Sequence, residues 1–183
     1  MHQSQVVCSH PLAADPAAMQ AFHAELTAHL YAHPTLTWNT AGQTTRHGWQ
    51  TGELLHDEAP VMQRLRQLLA DGVREFQRGD GTAGGRLTAR GVMLQSEGWQ
   101  ELHQHETAVV SGVYYVDVPA MAGPRNAGCL RFPAGADQAD TPDFIVHPSA
   151  GLLVMFPSSL WHGTVPFLAE HDRVGIAFDL YRD

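Results

Sequence analysis

Hydrophobic side chains recur at helical spacing in the segment "DPAAMQAFHAELTAHLYAHP". Four of them fall on one face of a helix: Met19, Phe22, Leu26 and Leu30. Asp15 is suited to cap the first turn, Pro16 fits the first helical position, and His33-Pro34 is a stop signal. The pattern therefore predicts an amphipathic helix between Asp15 and His33, with its apolar stripe packed against other elements.

The segment "DEAPVMQRLRQLLADGVREFQRG" carries a second stripe of the same kind, made of Val61, Leu65, Leu68, Leu69 and Phe76. Gly79 is suited to end this second helix. The stretch between the helices, "TWNTAGQTTRHGWQTGELL", is polar and contains glycine. We expect a loop here that borders a functional site.

The pattern changes near residue 80, after which short apolar and β-branched segments alternate with Gly and Pro turns. These segments are "GVMLQ", "WQELHQH", "VVSGVYYVDV", "GCLRF", "DFIVH", "GLLVMF" and "RVGIAFDLY". Seven or eight strands without intervening helices predict an antiparallel sandwich or jelly roll, with the two helices packed outside it. We therefore predict a mostly β, α+β fold in one domain spanning 1–183, with a helical part at 1–80 and a jelly-roll core at 86–183.

Composition narrows the functional classes. The chain has 183 residues, 11 basic against 19 acidic side chains and a formal net charge of −8, which disfavours nucleic acid as a partner. Its apolar runs are too short to cross a bilayer, and its first residues lack a secretory pattern, so we expect a cytoplasmic protein. Its two cysteines, without a CxxC pair, argue against a thiolate zinc site and a disulfide scaffold, whereas its 12 histidines suggest metal chemistry.

Histidines 103 and 105 stand two residues apart in "HQHETAVVSGVYYVDVP". On an extended strand both side chains would point to the same face and reach one metal ion. A histidine pair in a histidine-rich chain is weak evidence alone. A third candidate ligand, His162, follows in "FPSSLWHGTVPF", and Arg173 lies eleven residues beyond it.

Together these motifs resemble the iron(II)- and 2-oxoglutarate-dependent oxygenases, whose jelly roll carries a His-x-acid pair, a distal His and an Arg about ten residues further on. The pattern "HxH…SGVYYV…P" followed by "FPSxLWHxxxPF…R…AFD" is similar to a group of oxygenases in that superfamily, and "HGWQTGELLH" extends the similarity towards the N-terminus. The resemblance implies a double-stranded β-helix, or cupin-like jelly roll. It also implies iron bound by His103, His105 and His162, and 2-oxoglutarate held by Arg173 and Tyr115.

One position departs from that pattern, because His105 stands where the family expects Asp or Glu. Three explanations remain open: His105 is a third neutral ligand, Glu101 or Glu106 supplies the carboxylate through a shift of register, or water or an anion completes the iron while His105 supports the site. Three neutral imidazoles would leave the ion its full +2 charge, which favours a dianionic oxoacid.

The activity that the resemblance implies is oxidation of a C–H bond, coupled to release of succinate and CO₂ from 2-oxoglutarate. Its substrate would be a small molecule or a peptide side chain. An alternative is a cupin-like zinc-binding or hydrolytic protein that uses the same three histidines, since zinc also accepts three imidazoles and a water molecule.

Overall fold

A computed structural model describes residues 5–12, 14–39, 41–78, 84–134 and 142–182. In these ranges the chain forms two helices, α1 (Pro16–Tyr31) and α2 (Pro60–Arg78). It also forms ten strands: β1 (Val7–Ser9), β2 (Thr37–Trp38), β3 (Thr45–Gln50), β4 (Arg86–Gln100), β5 (Val110–Asp117), β6 (Leu130–Phe132), β7 (Phe144–Val146), β8 (Leu153–Pro157), β9 (Gly163–Thr164) and β10 (Arg173–Tyr181).

Both predicted helices are confirmed. The side chain of Asp15 accepts a hydrogen bond from the Ala18 N–H at 3.0 Å, and Pro16 occupies the first turn of α1. Four residues of the predicted α2 stripe, Val61, Leu65, Leu68 and Leu69, are buried, and Phe76 is partly buried against the same core. Gly79, the predicted end of α2, lies outside the described residues. No helix in the described ranges is both long and apolar enough to span a membrane.

The strands form two antiparallel sheets. The larger has seven strands in the order β1-β8-β5-β10-β4-β3-β2, and the smaller has three in the order β7-β6-β9. Neighbours in the large sheet are far apart in sequence, since β10, the last strand, lies between β5 and β4. The two sheets, with α1 and α2 packed against the larger one, confirm the predicted jelly-roll arrangement with external helices.

The prediction of a loop between the two helices was wrong, because β2 and β3 form there and join the large sheet. Strand β3 pairs with β4 from Thr45 opposite Gln100 to Gln50 opposite Val92. The two end residues of β3 are polar yet buried, and the Thr45 hydroxyl donates to Gln50 Oε1 at 2.8 Å. Polar side chains can be buried when they form hydrogen bonds with each other, as these two do. A strand that buries polar residues lacks the alternation of apolar and polar positions by which strands are predicted, so β3 was not predicted.

The strands "GVMLQ" and "WQELHQH", predicted as two, are one long strand, β4, which ends at Gln100. The HQH triplet follows it outside any named strand.

Alternate side chains of the central strands face two different layers, as the period of a strand requires. On β10, Val174, Ile176, Phe178 and Leu180 pack in the core that the large sheet shares with α1 and α2. On the other face of the sheet, a second core includes Tyr115, Val154 and Phe156 of the large sheet with Leu130 and Phe132 of the small one. A cavity lined by both sheets opens beside this second core.

Candidate metal centre

Three histidines meet at one end of this cavity. The backbone around His103 pairs with the segment that follows β8: the His103 N–H donates to His162 O at 3.0 Å, and the His162 N–H donates to His103 O at 2.9 Å. The His105 N–H donates to Ser158 O at 3.0 Å. These bonds align the two segments, and one nitrogen of each of the three imidazoles lies within 4.8 Å of the others.

The hydrogen bonds at the Nδ1 atoms determine the tautomer of each ring. Nδ1 of His103 lies 2.7 Å from Glu101 O, and Nδ1 of His162 lies 2.8 Å from Leu160 O. Nδ1 of His105 lies 3.0 Å from the Asp179 carboxylate. A carbonyl or an ionised carboxylate can only accept, so each Nδ1 must carry the proton. The Nε2 atoms are then left with free lone pairs, the form in which imidazole binds a metal.

Burial keeps two of these rings uncharged near neutral pH. The pKa of His162 is lowered to about 3, mainly by burial and in part by the neighbouring His103. Burial is also the main cause of the lowered pKa of His103. The three imidazoles fit a divalent iron or zinc ion in the chemistry of their nitrogen atoms and in their separation.

Asp179, which the sequence analysis missed, lies directly behind His105. It is 3 % exposed, and besides His105 it accepts a hydrogen bond from the Ser111 hydroxyl at 2.6 Å. Burial alone would raise the pKa of this carboxyl, but the hydrogen bond and charge of His105, the Ser111 hydroxyl and the charge of Arg90 together lower it. A buried carboxylate therefore stands beside the metal-binding face without being part of it.

A signal for Asp179 was present in the sequence. Arg173, Ala177 and Asp179 lie on β10 at even spacing, and all three line the cavity. Placing Arg173 in the site therefore implies that Asp179 faces the same side.

Neither glutamate considered as an alternative ligand reaches the histidines. Glu101 is exposed, and its carboxylate pairs with Arg46 Nη2 at 2.8 Å. Glu106 is exposed and lies outside the ligating group. The geometry favours the first of the three explanations, in which His105 itself is the third donor.

Arg173 and Tyr115 line the same cavity as the histidines. Arg173 is 5 % exposed; its guanidinium donates to Gly128 O at 2.6 Å and to Thr164 Oγ1 at 3.3 Å. Burial lowers its pKa, but a guanidinium stays charged at neutral pH. Among the described residues no carboxylate pairs with this cation, which is unusual for a buried arginine and fits a site that receives an anion.

One part of the cavity wall is polar. The Arg90 guanidinium donates to Gln43 Oε1 at 3.1 Å and lies 3.9 Å from Asp179, and Gln50 Nε2 donates to Gln43 Oε1 at 3.4 Å. All four of these side chains line the cavity. This part of the wall presents amide and guanidinium groups to the cavity, whereas other parts are lined by apolar side chains.

Comparison with known proteins identifies a matching family. Residues 91–179, which include all five predicted site residues, match the family described as "Putative 2OG-Fe(II) oxygenase". This confirms the family resemblance stated from the sequence. Among curated proteins, none matches the sequence.

Solved structures of several oxygenases share the fold. A prolyl-4-hydroxylase from Pseudomonas putida is similar over 100% of this chain and 94% of its own, with a TM-score of 0.74 and 18% identity. The viral collagen prolyl hydroxylase of Paramecium Bursaria Chlorella virus-1, in a 2OG complex, is similar over 98% of this chain and 97% of its own, with a TM-score of 0.68 and 9% identity. HygX from Streptomyces hygroscopicus, with nickel, 2-oxoglutarate and hygromycin B bound, is similar over 97% of this chain and 83% of its own, with a TM-score of 0.65 and 15% identity. At such identities the likeness concerns the fold, and it confirms the predicted double-stranded β-helix.

Proposed function

Because residues 91–179 match the family model of the 2OG-Fe(II) oxygenases, we propose that the protein hydroxylates a C–H bond of its substrate while 2-oxoglutarate is converted to succinate and CO₂. The observation that carries the proposal is the set of three imidazoles with one nitrogen each within 4.8 Å of the others. Their Nδ1 protons are donated to protein acceptors, which leaves the Nε2 lone pairs for a metal ion. In the proposed site His103, His105 and His162 hold iron(II). The bound iron supplies the oxidising power that amino-acid side chains lack.

Arg173 is the proposed anchor for the distal carboxylate of 2-oxoglutarate. Its planar fork can donate two charge-assisted hydrogen bonds to a carboxylate, and the buried cation has no acidic partner among the described residues. The fully buried Tyr115 lies against it, with the guanidinium carbon 5.4 Å from the ring centroid. Its hydroxyl is the proposed second donor to the cosubstrate.

Asp179 supplies the negative charge that the His-x-His pair lacks. Its proposed role is to orient the His105 ring, hold the proton on Nδ1 and offset part of the charge of the ion from behind the ligand. The Ser111 hydroxyl fixes the carboxylate in turn. A carboxylate thus acts through His105 at the position where the family places one on the metal.

The proposed substrate is a small molecule or a peptide with polar groups. The similar structures are two prolyl hydroxylases and HygX with hygromycin B bound, which supports both substrate classes. The amides of Gln43 and Gln50 and the guanidinium of Arg90 at the cavity wall favour hydroxyl or carbonyl groups near the reacting C–H bond.

The test is an anaerobic titration of the metal-free protein with iron(II) and then 2-oxoglutarate. We expect the weak visible charge-transfer band of a chelated oxoacid, and slow succinate formation once oxygen is admitted, even without the substrate. Zinc retained after purification without added metal, with neither band nor succinate, would support the zinc alternative instead. A matched control is His171→Ala, which removes a solvent-exposed histidine and should leave the band unchanged.

A further inference from the structure

A second group of metal-ligating side chains lies in the helical layer, away from the cavity between the sheets. It consists of His29 in the last turn of α1, His33 two residues beyond the end of that helix, and Asp57 in the segment before α2. His29 Nε2 lies 2.7 Å from Asp57 Oδ2, and His33 Nε2 lies 3.9 Å from the same oxygen. One ligand atom of each residue lies within 4.8 Å of the other two.

The surrounding contacts hold the carboxylate in place. Asp57 Oδ1 accepts the Ala59 N–H at 2.8 Å, which leaves Oδ2 directed towards the histidines. The Asp57 carbonyl accepts a hydrogen bond from Arg66 Nη2 of α2 at 2.9 Å. The position of the carboxylate is thus set by two contacts that do not involve the histidines.

The environment of His33 suits a metal ligand. Its side chain is 8 % exposed, and Nδ1 lies 2.8 Å from the Thr35 hydroxyl, which already accepts the Gly52 N–H. When Nδ1 carries the proton and donates to this hydroxyl, Nε2 is left with a lone pair that faces Asp57. A protonated Nδ1 cannot accept a hydrogen bond, so this tautomer loses the longer contact in which the Thr35 N–H donates to Nδ1 at 3.4 Å.

The separations agree with a tetrahedral ion after small adjustments. Zinc binds imidazole nitrogen and carboxylate oxygen at about 2.0–2.2 Å, so tetrahedral ligand atoms lie about 3.3 Å apart. The observed 2.7 and 3.9 Å lie on either side of that value. Changes of well under 1 Å at these two pairs are within the reach of side-chain rotation.

We propose that His29, His33 and Asp57 form a second binding site for a divalent transition metal such as zinc, with water as the fourth ligand. The site is independent of the proposed oxygenase centre. It joins the end of α1 to the start of α2, so its effect is to stabilise the helical layer when the metal is bound.

The test counts zinc ions bound per chain by equilibrium dialysis in a zinc buffer, using protein made without a histidine tag. Four proteins are compared: the natural sequence, His29→Ala, His162→Ala, and the double variant. The first should bind two ions, each single variant one, and the double variant none. His56→Ala removes an exposed histidine beside Asp57 that is outside the cluster, and it should still bind two.

Thermal denaturation with and without zinc supplies the second measurement. In the His162→Ala background, zinc should still raise the melting temperature, and the added His29→Ala change should abolish that rise. The proposal is overturned when His29→Ala binds as much zinc as the natural sequence and His33→Ala, measured in the same way, does so too. The iron and 2-oxoglutarate band of His29→Ala should be unchanged, which separates failure of this site from failure of the proposed function.

Discussion

The buried carboxylate behind His105 makes Asp179→Asn the most informative substitution in this protein. Asparagine has nearly the same shape but no charge, and it can turn its NH₂ group towards His105 Nδ1. That orientation would require the His105 proton to move to Nε2, the atom needed by the metal. The variant thus weakens the site through charge and through tautomer, with little change in packing.

The magnitude follows from the local structure. Asp179 is 3 % exposed and lies 3.0 Å from His105 Nδ1, so solvent screens their interaction little. A hydrogen bond to a charged group contributes about 1.5–3 kcal/mol against about 1 for a neutral one. The difference of about 0.5–2 kcal/mol corresponds to a loss of iron(II) affinity of roughly 2-fold to 30-fold. The upper part of this range overlaps the roughly 10-fold to 100-fold losses found when groups supporting a metal-bound histidine are changed.

Anaerobic competition of the protein with a chelator for iron(II) measures this affinity directly. Glu101→Gln is the matched control, because it removes a carboxylate two residues before His103 that is exposed and paired with Arg46. Iron affinity should be unchanged in the control. The reasoning is refuted if Asp179→Asn binds iron as tightly as the natural sequence, or if Glu101→Gln is the weaker binder of the two.

Three further changes test other parts of the structure. Arg173→Met should weaken 2-oxoglutarate binding on the order of 100-fold to 1,000-fold in titrations of the iron-loaded protein, because an uncompensated carboxylate would remain in the buried pocket. The metal-free protein should lose about 2 kcal/mol of unfolding free energy between pH 7 and pH 5, as measured by urea denaturation. The pKa of His162 is about 3 in the folded protein and about 6.5 in the unfolded chain, so the unfolded chain binds the proton first as pH falls and is stabilised by it. Gly112→Ala should destabilise the fold by about 1–3 kcal/mol, since a Cβ there would meet the Phe178 ring and lie 2.6 Å from Val154 O.

Each of these expectations has a contradicting outcome. Arg173→Lys keeps the charge without the fork, so it should bind 2-oxoglutarate better than Arg173→Met; equal binding by both would argue against carboxylate recognition. A His162→Gln variant should show a shallower pH dependence of stability, and an unchanged slope would assign it to other groups. A Gly112→Ala protein as stable as the natural one would mean that β5 and β8 can move apart at no cost.

Local pattern was sufficient for the helices, because an apolar stripe with a capping residue specifies a helix without reference to distant residues. It failed for β3, whose buried Thr45 and Gln50 satisfy each other and whose partner, β4, follows α2. It also missed the continuity of β4 and placed the HQH triplet in a strand, whereas a pairing between His103 and His162 positions that segment. The local pattern of a segment does not specify which distant segment it pairs with.

For the site, the sequence determined which groups were available and their approximate spacing. The motifs of the C-terminal half were enough to name His103, His105, His162, Arg173 and Tyr115, and these five side chains line one cavity. That they bind iron and 2-oxoglutarate stays a proposal, as does the single domain spanning 1–183.

Only the tertiary structure decided what stands beside those groups. It brings Asp179 of the last strand within hydrogen-bonding distance of His105, 74 residues earlier, and it leaves Arg173 buried without a carboxylate among the described residues. The tautomers of the three imidazoles likewise depend on carbonyl and carboxylate acceptors whose positions follow from the folded backbone. Residue type determines which bonds a side chain can make, but the fold determines which partners come within the few ångströms over which those bonds act.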